Sequence, residues 1–202
     1  MAELTTEDAA RLIAAARRSI LDGYQQKDTP APKDAPVFLE PRGVFVTLST
    51  FPKRELRGCI GFVRPDRPLG EAVVMAAKLA AFEDNRFEPL SRSELEKTVI
   101  EVSVLGVPEL VKAQDPAARL KAVHIGQDGL VIQYGRASGL LLPQVAIEWN
   151  FTPHSFLEAV CEKAGLPKDM WKSASAKLWT FGASVYAEEK PGGRVGREAL
   201  IR

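Results

Sequence analysis

The stretch LRGCIG, residues 56–61, places a thiol two positions from a guanidinium and between two glycines. In an extended segment alternate side chains share a face. Leu56, Gly58, Ile60 and Phe62 then point one way, and Arg57, Cys59 and Gly61 the other. A cation beside a cysteine favours the thiolate, which is the nucleophilic and ligand form. Cys59 and Arg57 are therefore candidate catalytic residues, with Arg57 lowering the thiol's pKa or holding an anionic substrate. Glycines are poor strand residues, and two of them here signal a bulge or the close approach of a backbone or ligand. A buried structural cysteine fits the same stretch, because free Cys is among the most buried residue types.

Few other residues compete for chemistry. Cys59, Cys161, His124 and His154 lack the paired spacings that mark structural zinc, so no metal site is expected. Cys161 falls mid-helix in FLEAVCEKAG and reads as core. His154 stands at a helix start, a surface position. Glu148 is the candidate acid/base or orienting partner of Cys59, in a helix that begins at Pro143. A surface carboxylate or an arginine salt bridge accounts for Glu148 equally well. Asp84 and Arg86 fit a cap-and-tie role at the turn after a long helix. There is no glycine-rich phosphate fingerprint, Gly126-x-x-Gly129 fitting a hairpin instead, and no cofactor is called for.

The chain has 202 residues, 46% hydrophobic and 26% charged, enough to bury a core without staples. No apolar run approaches the roughly 20 residues of a membrane span. The opening MAELTTEDAARL carries acidic residues and no apolar h-region, so no secretory signal is expected. Two cysteines make no disulfide framework, and a cytoplasmic location with no membrane partner is the expectation. A formal net charge of +1 argues against a globally basic nucleic-acid binder. Residues 42–67, however, hold Arg42, Lys53, Arg54, Arg57, Arg64 and Arg67 against Glu55 and Asp66. That local excess suits an anionic small molecule or partner, or simply a solvated face.

The elements that must position these residues follow from pattern. Thr5 and Asp8 form a capping box before an apolar stripe of Leu12, Ile13, Ala16 and Ile20, with Gly23 as the stop. Pro30, Pro32 and Pro36 mark a loop. GVFVTLSTF and LRGCIGFV read as a hairpin across PKRE. RPLGEAVVMAAKLAAFED is a helix apolar enough to be covered on most sides, and Ser91 and Glu94 cap a short one. TVIEVSVLG alternates, with Ile100, Val102 and Val104 on one face and Glu101 and Ser103 on the other. Asp128-Gly129, between strand-like runs, signals a hairpin. SGLLLPQVAIE is a strand ended by Pro143 and a short helix, and a second helix starts near Pro153 and stops at Gly165. KLWTFGASVYAE is a final strand, and residues 188–202 read as a flexible tail. Strands and helices mix without regular alternation, which gives an α+β class with mainly antiparallel sheets and flanking helices.

LRGCIG resembles the hexapeptide of the family named for the Alport syndrome, midface hypoplasia and elliptocytosis chromosomal region, the AMMECR family. Its prokaryotic members are also called protein A of the AmmeMemoRadiSam system. GVFVTL, DNRFEPLSRSEL, VSVL, HIGQDGLVIQ and LLLPQVAIE resemble further family segments in order, over roughly residues 8 to 187. The resemblance implies one α+β unit of two intertwined subdomains spanning residues 1–187, with the hexapeptide near their cleft. It implies radical SAM and Memo-type proteins as partners. Carried over by matching motif, it points to Arg57, Gly58, Cys59, Ile60 and Gly61, then Asp84, Arg86, Phe87, Ser103, Gly126, Gly129, Pro143 and Glu148. His124 and Asp128 depart from the family's hairpin pattern.

Three functional readings result. The first is an enzyme or enzyme subunit using Cys59 on an anionic or partner-delivered substrate. The second is a non-catalytic binding or regulatory module acting with radical SAM and Memo-type partners. The third, nucleic-acid binding, rests on the local basic cluster alone.

Overall fold

The computed structural model describes residues 4–198. In chain order the helices are α1 (Thr6–Gly23), α2 (Pro36–Leu39), α3 (Leu69–Phe82), α4 (Arg92–Leu95), α5 (Pro116–Lys121), α6 (Pro143–Glu148) and α7 (Pro153–Lys163), followed by a 3-10 turn at Met170–Lys172. The strands are β1 (Val44–Thr50), β2 (Leu56–Phe62), β3 (Thr98–Leu105), β4 (Glu109–Leu110), β5 (Gly129–Tyr134), β6 (Ala137–Leu141), β7 (Lys177–Phe181), β8 (Ala183–Glu188) and β9 (Val195–Glu198). The chain divides into two compact units, 4–105 with 184–198, and 106–183. Both are helices on antiparallel sheet, the α+β class expected.

The first unit holds a five-stranded sheet in the order β2-β1-β3-β8-β9. Its β1 pairs antiparallel with both β2 and β3. Apolar side chains at alternate positions, Val44, Val46 and Leu48 of β1 and Ile100, Val102 and Val104 of β3, are buried in one core with α1 and α3. Period-two burial of this kind makes one sheet face the floor of a core. Helix α1 starts as expected, Thr5 Oγ1 accepting the Asp8 N–H at 3.1 Å and Asp8 Oδ2 accepting the Thr5 N–H at 3.2 Å. Its Arg17 donates through Nε to Glu188 at 3.0 Å, and Glu188 also accepts the Ile100 N–H at 3.0 Å, which ties α1 to β8 and β3. Helix α3 packs through alanines 72, 76, 77, 80 and 81. Small side chains there let the helix backbone come close to the strands beneath it.

The second unit has the sheet β4-β7-β5-β6. Leu130, Ile132 and Leu178 face Phe156, Leu157 and Val160 of α7 in its core, with Cys161 fully buried among them. Arg119, 3% exposed, stitches the unit from inside. It donates to the carbonyls of Ala113, Trp171, Ser173 and Ala176 at 2.6–2.9 Å.

Three local expectations are corrected. Asp128-Gly129 does not turn a hairpin. Residues 124–128 are a turn after α5, closed by Asp128 accepting the His124 N–H at 2.8 Å, and Gly129 only begins β5. The hairpin is β5–β6, turned at Gly135 with φ +58°, a conformation that suits glycine. KLWTFGASVYAE is two strands, because β7 belongs to one sheet and β8 to the other, with Gly182 between them. Of residues 188–202, Glu188 ends β8 and Val195–Glu198 pair with it as β9, across a turn with Gly192 at φ +65°. Residues 199–202 lie outside the described residues.

Candidate functional site

Strand β2 is an edge strand, and its six motif residues divide by role. Gly58 faces α3: a Cβ there would stand 2.3 Å from the Ala80 carbonyl oxygen, so only glycine admits the helix this close. Ile60 packs against the core. Gly61 faces the opposite way and lies under the Phe45 ring, which a Cβ would approach to 2.4 Å. Leu56 is 45% exposed. The alternation expected from the sequence thus holds from Gly58 to Phe62.

It fails at Arg57. Gly58 pairs with Leu48 while Leu56 pairs with Ser49, so Arg57 is the extra residue of a β-bulge. A bulge re-aims the side chain it carries. Arg57 runs to Glu94, its Nε 2.9 Å from Oε1, and donates to the Glu88 carbonyl at 2.9 Å. Its side chain is 14% exposed. The guanidinium and the Ser91 N–H hold the Glu94 carboxyl down at about 2. Arg57 therefore answers to Glu94.

Cys59 is fixed by its backbone. In an antiparallel ladder every second residue of an edge strand turns its N–H and C=O outward, and those of Cys59 would stand open. Asp84 accepts the Cys59 N–H at 2.8 Å, and Arg86 Nη2 donates to the Cys59 carbonyl at 3.1 Å. Arg86 Nη2 and Nε also bind Asp84 at 2.7 and 2.9 Å. The ion pair thus stands in for a neighbouring strand and blunts the edge. Bonding to Arg86 holds the Asp84 carboxyl far below the usual carboxylate range. Phe87 completes this side, with the Arg57 and Arg86 guanidiniums 5.7 and 5.6 Å from its ring centroid.

The Cys59 thiol projects onto the sheet face opposite α3. Thr47 of β1 sits beside it, and its hydroxyl donates to Sγ at 3.3 Å. On the other side of Thr47, in register, is Glu101 of β3. The next row is Gly61, Phe45 and Ser103. Cys59, Thr47 and Glu101 are each half-buried, and Ser103 is buried. Burial pushes the Cys59 thiol above its ordinary value. The Thr47 bond and Arg86 oppose that shift, and Glu101 and Asp84 add to it. The thiol is neutral at rest, opposite to the direction expected from an arginine acting on a thiolate.

The structure brings Cys59, Gly61 and Ser103 onto one face, Gly58 and Ile60 onto the other, and Asp84, Arg86 and Phe87 along the β2 edge. Pro143, buried at the first position of α6, and Glu148, exposed at its end, belong to the second unit. Gly126 and Gly129 are there too. Residues not among the sequence's site candidates are Thr47, Glu94, which reads from sequence as a helix cap, and Glu101, which reads as a polar-face residue of its strand. The signal for two of them was a polar side chain inside a β-branched run, Thr47 in GVFVTLST and Glu101 in TVIEVSVL.

Much of the basic cluster is engaged locally. Arg42 pairs with Glu40 at 2.7 Å, Arg67 with Asp66 at 2.9 Å, and Arg54 donates to the Glu188 carbonyl at 2.9 Å. Lys53 is 3.8 Å from Glu55. Among the described residues no three His, Cys, Asp or Glu side chains converge as metal ligands, and no helix is long and apolar enough to cross a membrane.

A family model described as AMMECR1 matches residues 13–186. Protein Ta0236 of Thermoplasma acidophilum is 48% identical over 187 residues, which span 93% of this chain and 89% of that protein. Protein MJ0810 of Methanocaldococcus jannaschii is 42% identical over 198 residues, 98% of each. The crystal structure of the uncharacterized protein PH0010 from Pyrococcus horikoshii matches with a TM-score of 0.83 at 42% identity, over 94% of this chain and 96% of that one. The matched span carries the hexapeptide, its Asp84–Arg86 clamp and the Thr47–Glu101 row, and the chain belongs to the AMMECR1 family.

Proposed function

We propose that the chain is an enzyme or enzyme subunit whose reacting group is the Cys59 thiol, neutral at rest and used as a nucleophile or covalent carrier once the sheet face is occupied. One observation carries this reading. Arg57, Gly58, Ile60 and Gly61 are taken up by pairing and packing. Leu56 has no reactive group. Only the Cys59 side chain is left for chemistry, on a backbone clamped from both sides. With the nearby guanidiniums committed to Glu94 and Asp84, activation must come from a substrate, a partner or the neighbouring row. The radical SAM and Memo-type proteins implied by the AMMECR resemblance are the partners to examine first, and an anionic substrate is the less favoured class.

The second reading is a non-catalytic binding or regulatory module at the same face. It is favoured by the neutral thiol and by arginines paired with Glu94 and Asp84, which together give the resting site no thiolate. Iodoacetamide labelling of the native protein, read by peptide mass spectrometry, tests the first reading. Cys59 should label while Cys161 does not, at a rate still rising above the ordinary thiol value of about 8.5. Labelling of Cys59 only after unfolding sinks the enzyme reading. Cys59→Ala that still captures the partner proteins would favour the module.

A further inference from the structure

We infer that Glu101 is the proton acceptor for Cys59, acting through the Thr47 hydroxyl that stands between them. The inference deepens the enzyme reading above and rests on it. The three residues sit side by side on adjacent strands, Cys59 opposite Thr47 and Thr47 opposite Glu101. Directly opposed side chains in an antiparallel sheet have Cβ atoms about 4.5–5.5 Å apart, within reach of a carboxylate and a hydroxyl. The first link is already in contact, Thr47 Oγ1 lying 3.3 Å from Sγ with the hydroxyl donating to sulfur, and rotation of that hydroxyl toward Glu101 turns it into the acceptor of the thiol proton. A hydroxyl both donates and accepts, so it can take the thiol proton as it passes its own on. Glu101 is the only carboxylate on the β1, β2 and β3 strands.

The other charges near the thiol are Asp84 and Arg86 on the β2 edge. Asp84 is occupied by four N–H groups and is held deprotonated far below neutrality, so it makes a poor proton acceptor. Arg86 cannot accept a proton, and Arg57 is turned to Glu94. A half-buried carboxylate one hydroxyl away from a half-buried thiol also has a reason to take the proton. The transfer moves negative charge onto sulfur as it attacks and leaves the glutamic acid neutral, so the row never carries two negative charges at once.

With iodoacetamide as the probe, the step balances. The sulfur forms a bond to the methylene carbon, the carbon–iodine bond breaks and iodide leaves with the electron pair. The thiol proton passes to Thr47 as the Thr47 proton passes to the Glu101 carboxylate. A substrate of the same class carries an electrophilic carbon with a leaving group or a polarised multiple bond.

Rates of Cys59 alkylation from about pH 5 to about pH 9 test the assignment, because its two alternatives have opposite signs. As a proton acceptor, Glu101 supports alkylation below the thiol's own ionisation. Glu101→Gln then lowers the rate at neutral pH by about 10- to 100-fold and leaves a single alkaline limb. As a mere neighbouring charge, Glu101 holds the thiolate back, and Glu101→Gln speeds alkylation. Thr47→Val should slow the reaction like Glu101→Gln, and Thr47→Ser should restore it. Faster or unchanged alkylation in Glu101→Gln, with Cys59 still labelled, overturns the inference and leaves the enzyme reading standing. No labelling of native Cys59 at any pH removes both.

Discussion

Replacing Asp84 with alanine is the most direct test of how the β2 edge is held. The carboxylate is 5% exposed and accepts four N–H groups, those of Cys59 at 2.8 Å and Arg86 backbone, Nε and Nη2 at 3.2, 2.9 and 2.7 Å. A hydrogen bond to a charged group contributes about 1.5–3 kcal/mol, and breaking a buried ion pair costs about 3–5 kcal/mol when the partner is stranded. Arg86 is not stranded. Its side chain is 51% exposed and returns to water, so its share is discounted as for a surface pair. The loss that persists is the Cys59 N–H, left without its acceptor, and the packing of the turn. A net destabilisation of about 2–3 kcal/mol follows, which for a chain of this size lowers Tm by roughly 4–12 °C. The pH dependence has a definite sign. The folded Asp84 carboxyl titrates below its unfolded value, so its contribution is complete above about pH 4 and is lost as the pH falls further. Urea unfolding at neutral pH and near pH 3 should therefore show the wild-type advantage over Asp84→Ala narrowing in acid. Asp84→Asn, which keeps an acceptor for Cys59, should fall between the two. An Asp84→Ala protein within about 0.5 kcal/mol of wild type at neutral pH, or a gap that widens in acid, would refute the clamp.

Further outcomes follow from the same contacts. Gly58→Ala must push α3 off β2 and should cost about 1–3 kcal/mol in chemical denaturation, although alanine suits a strand no worse than glycine. Arg57→Ala should raise the Glu94 carboxyl from about 2 toward the ordinary glutamate value of about 4.3, read by NMR titration. The same variant should change Cys59 alkylation at neutral pH by less than about twofold, because the guanidinium serves Glu94 and not the thiol. Arg119→Lys should destabilise the second unit by about 2 kcal/mol or more by urea unfolding, since a single ammonium cannot reach the four carbonyls that the fork bridges.

What the sequence made legible was what short-range chemistry decides. The capping boxes at Thr5/Asp8 and Ser91/Glu94 are present as read, because each depends on residues three apart. The β1–β2 hairpin and the stop at Pro143 follow equally local rules. The errors arose where a local signal met a choice made elsewhere. Asp128-Gly129 has the composition of a hairpin turn, but Asp128 closes a turn on His124 after α5 and the strands reverse six residues later at Gly135. KLWTFGASVYAE has the period of one strand, yet it is shared by two sheets. Nothing in its alternation records that break, because both sheets demand the same period.

The site was legible in the same uneven way. LRGCIG drew attention through its glycines and its arginine, and those residues answer packing and pairing demands: Ala80 above Gly58, Phe45 above Gly61, Glu94 at Arg57. The bulge explains why period two misplaced Arg57, since one extra residue reverses every face before it. Thr47 and Glu101 were not site candidates because their meaning depends on register. Each is an ordinary polar residue in its own strand, and only the pairing of β2 with β1 and of β1 with β3 sets them beside the thiol. Register is fixed by long-range pairing and by the buried faces of several strands together, so a row that crosses three strands has no signature in any one of them. The Asp84–Arg86 clamp has the same logic, read at the turn as a helix-end tie and spent on an edge strand 25 residues earlier. A conspicuous motif can therefore mark where chemistry sits without naming the groups that perform it. In this chain those groups are best sought one and two strands away from the cysteine.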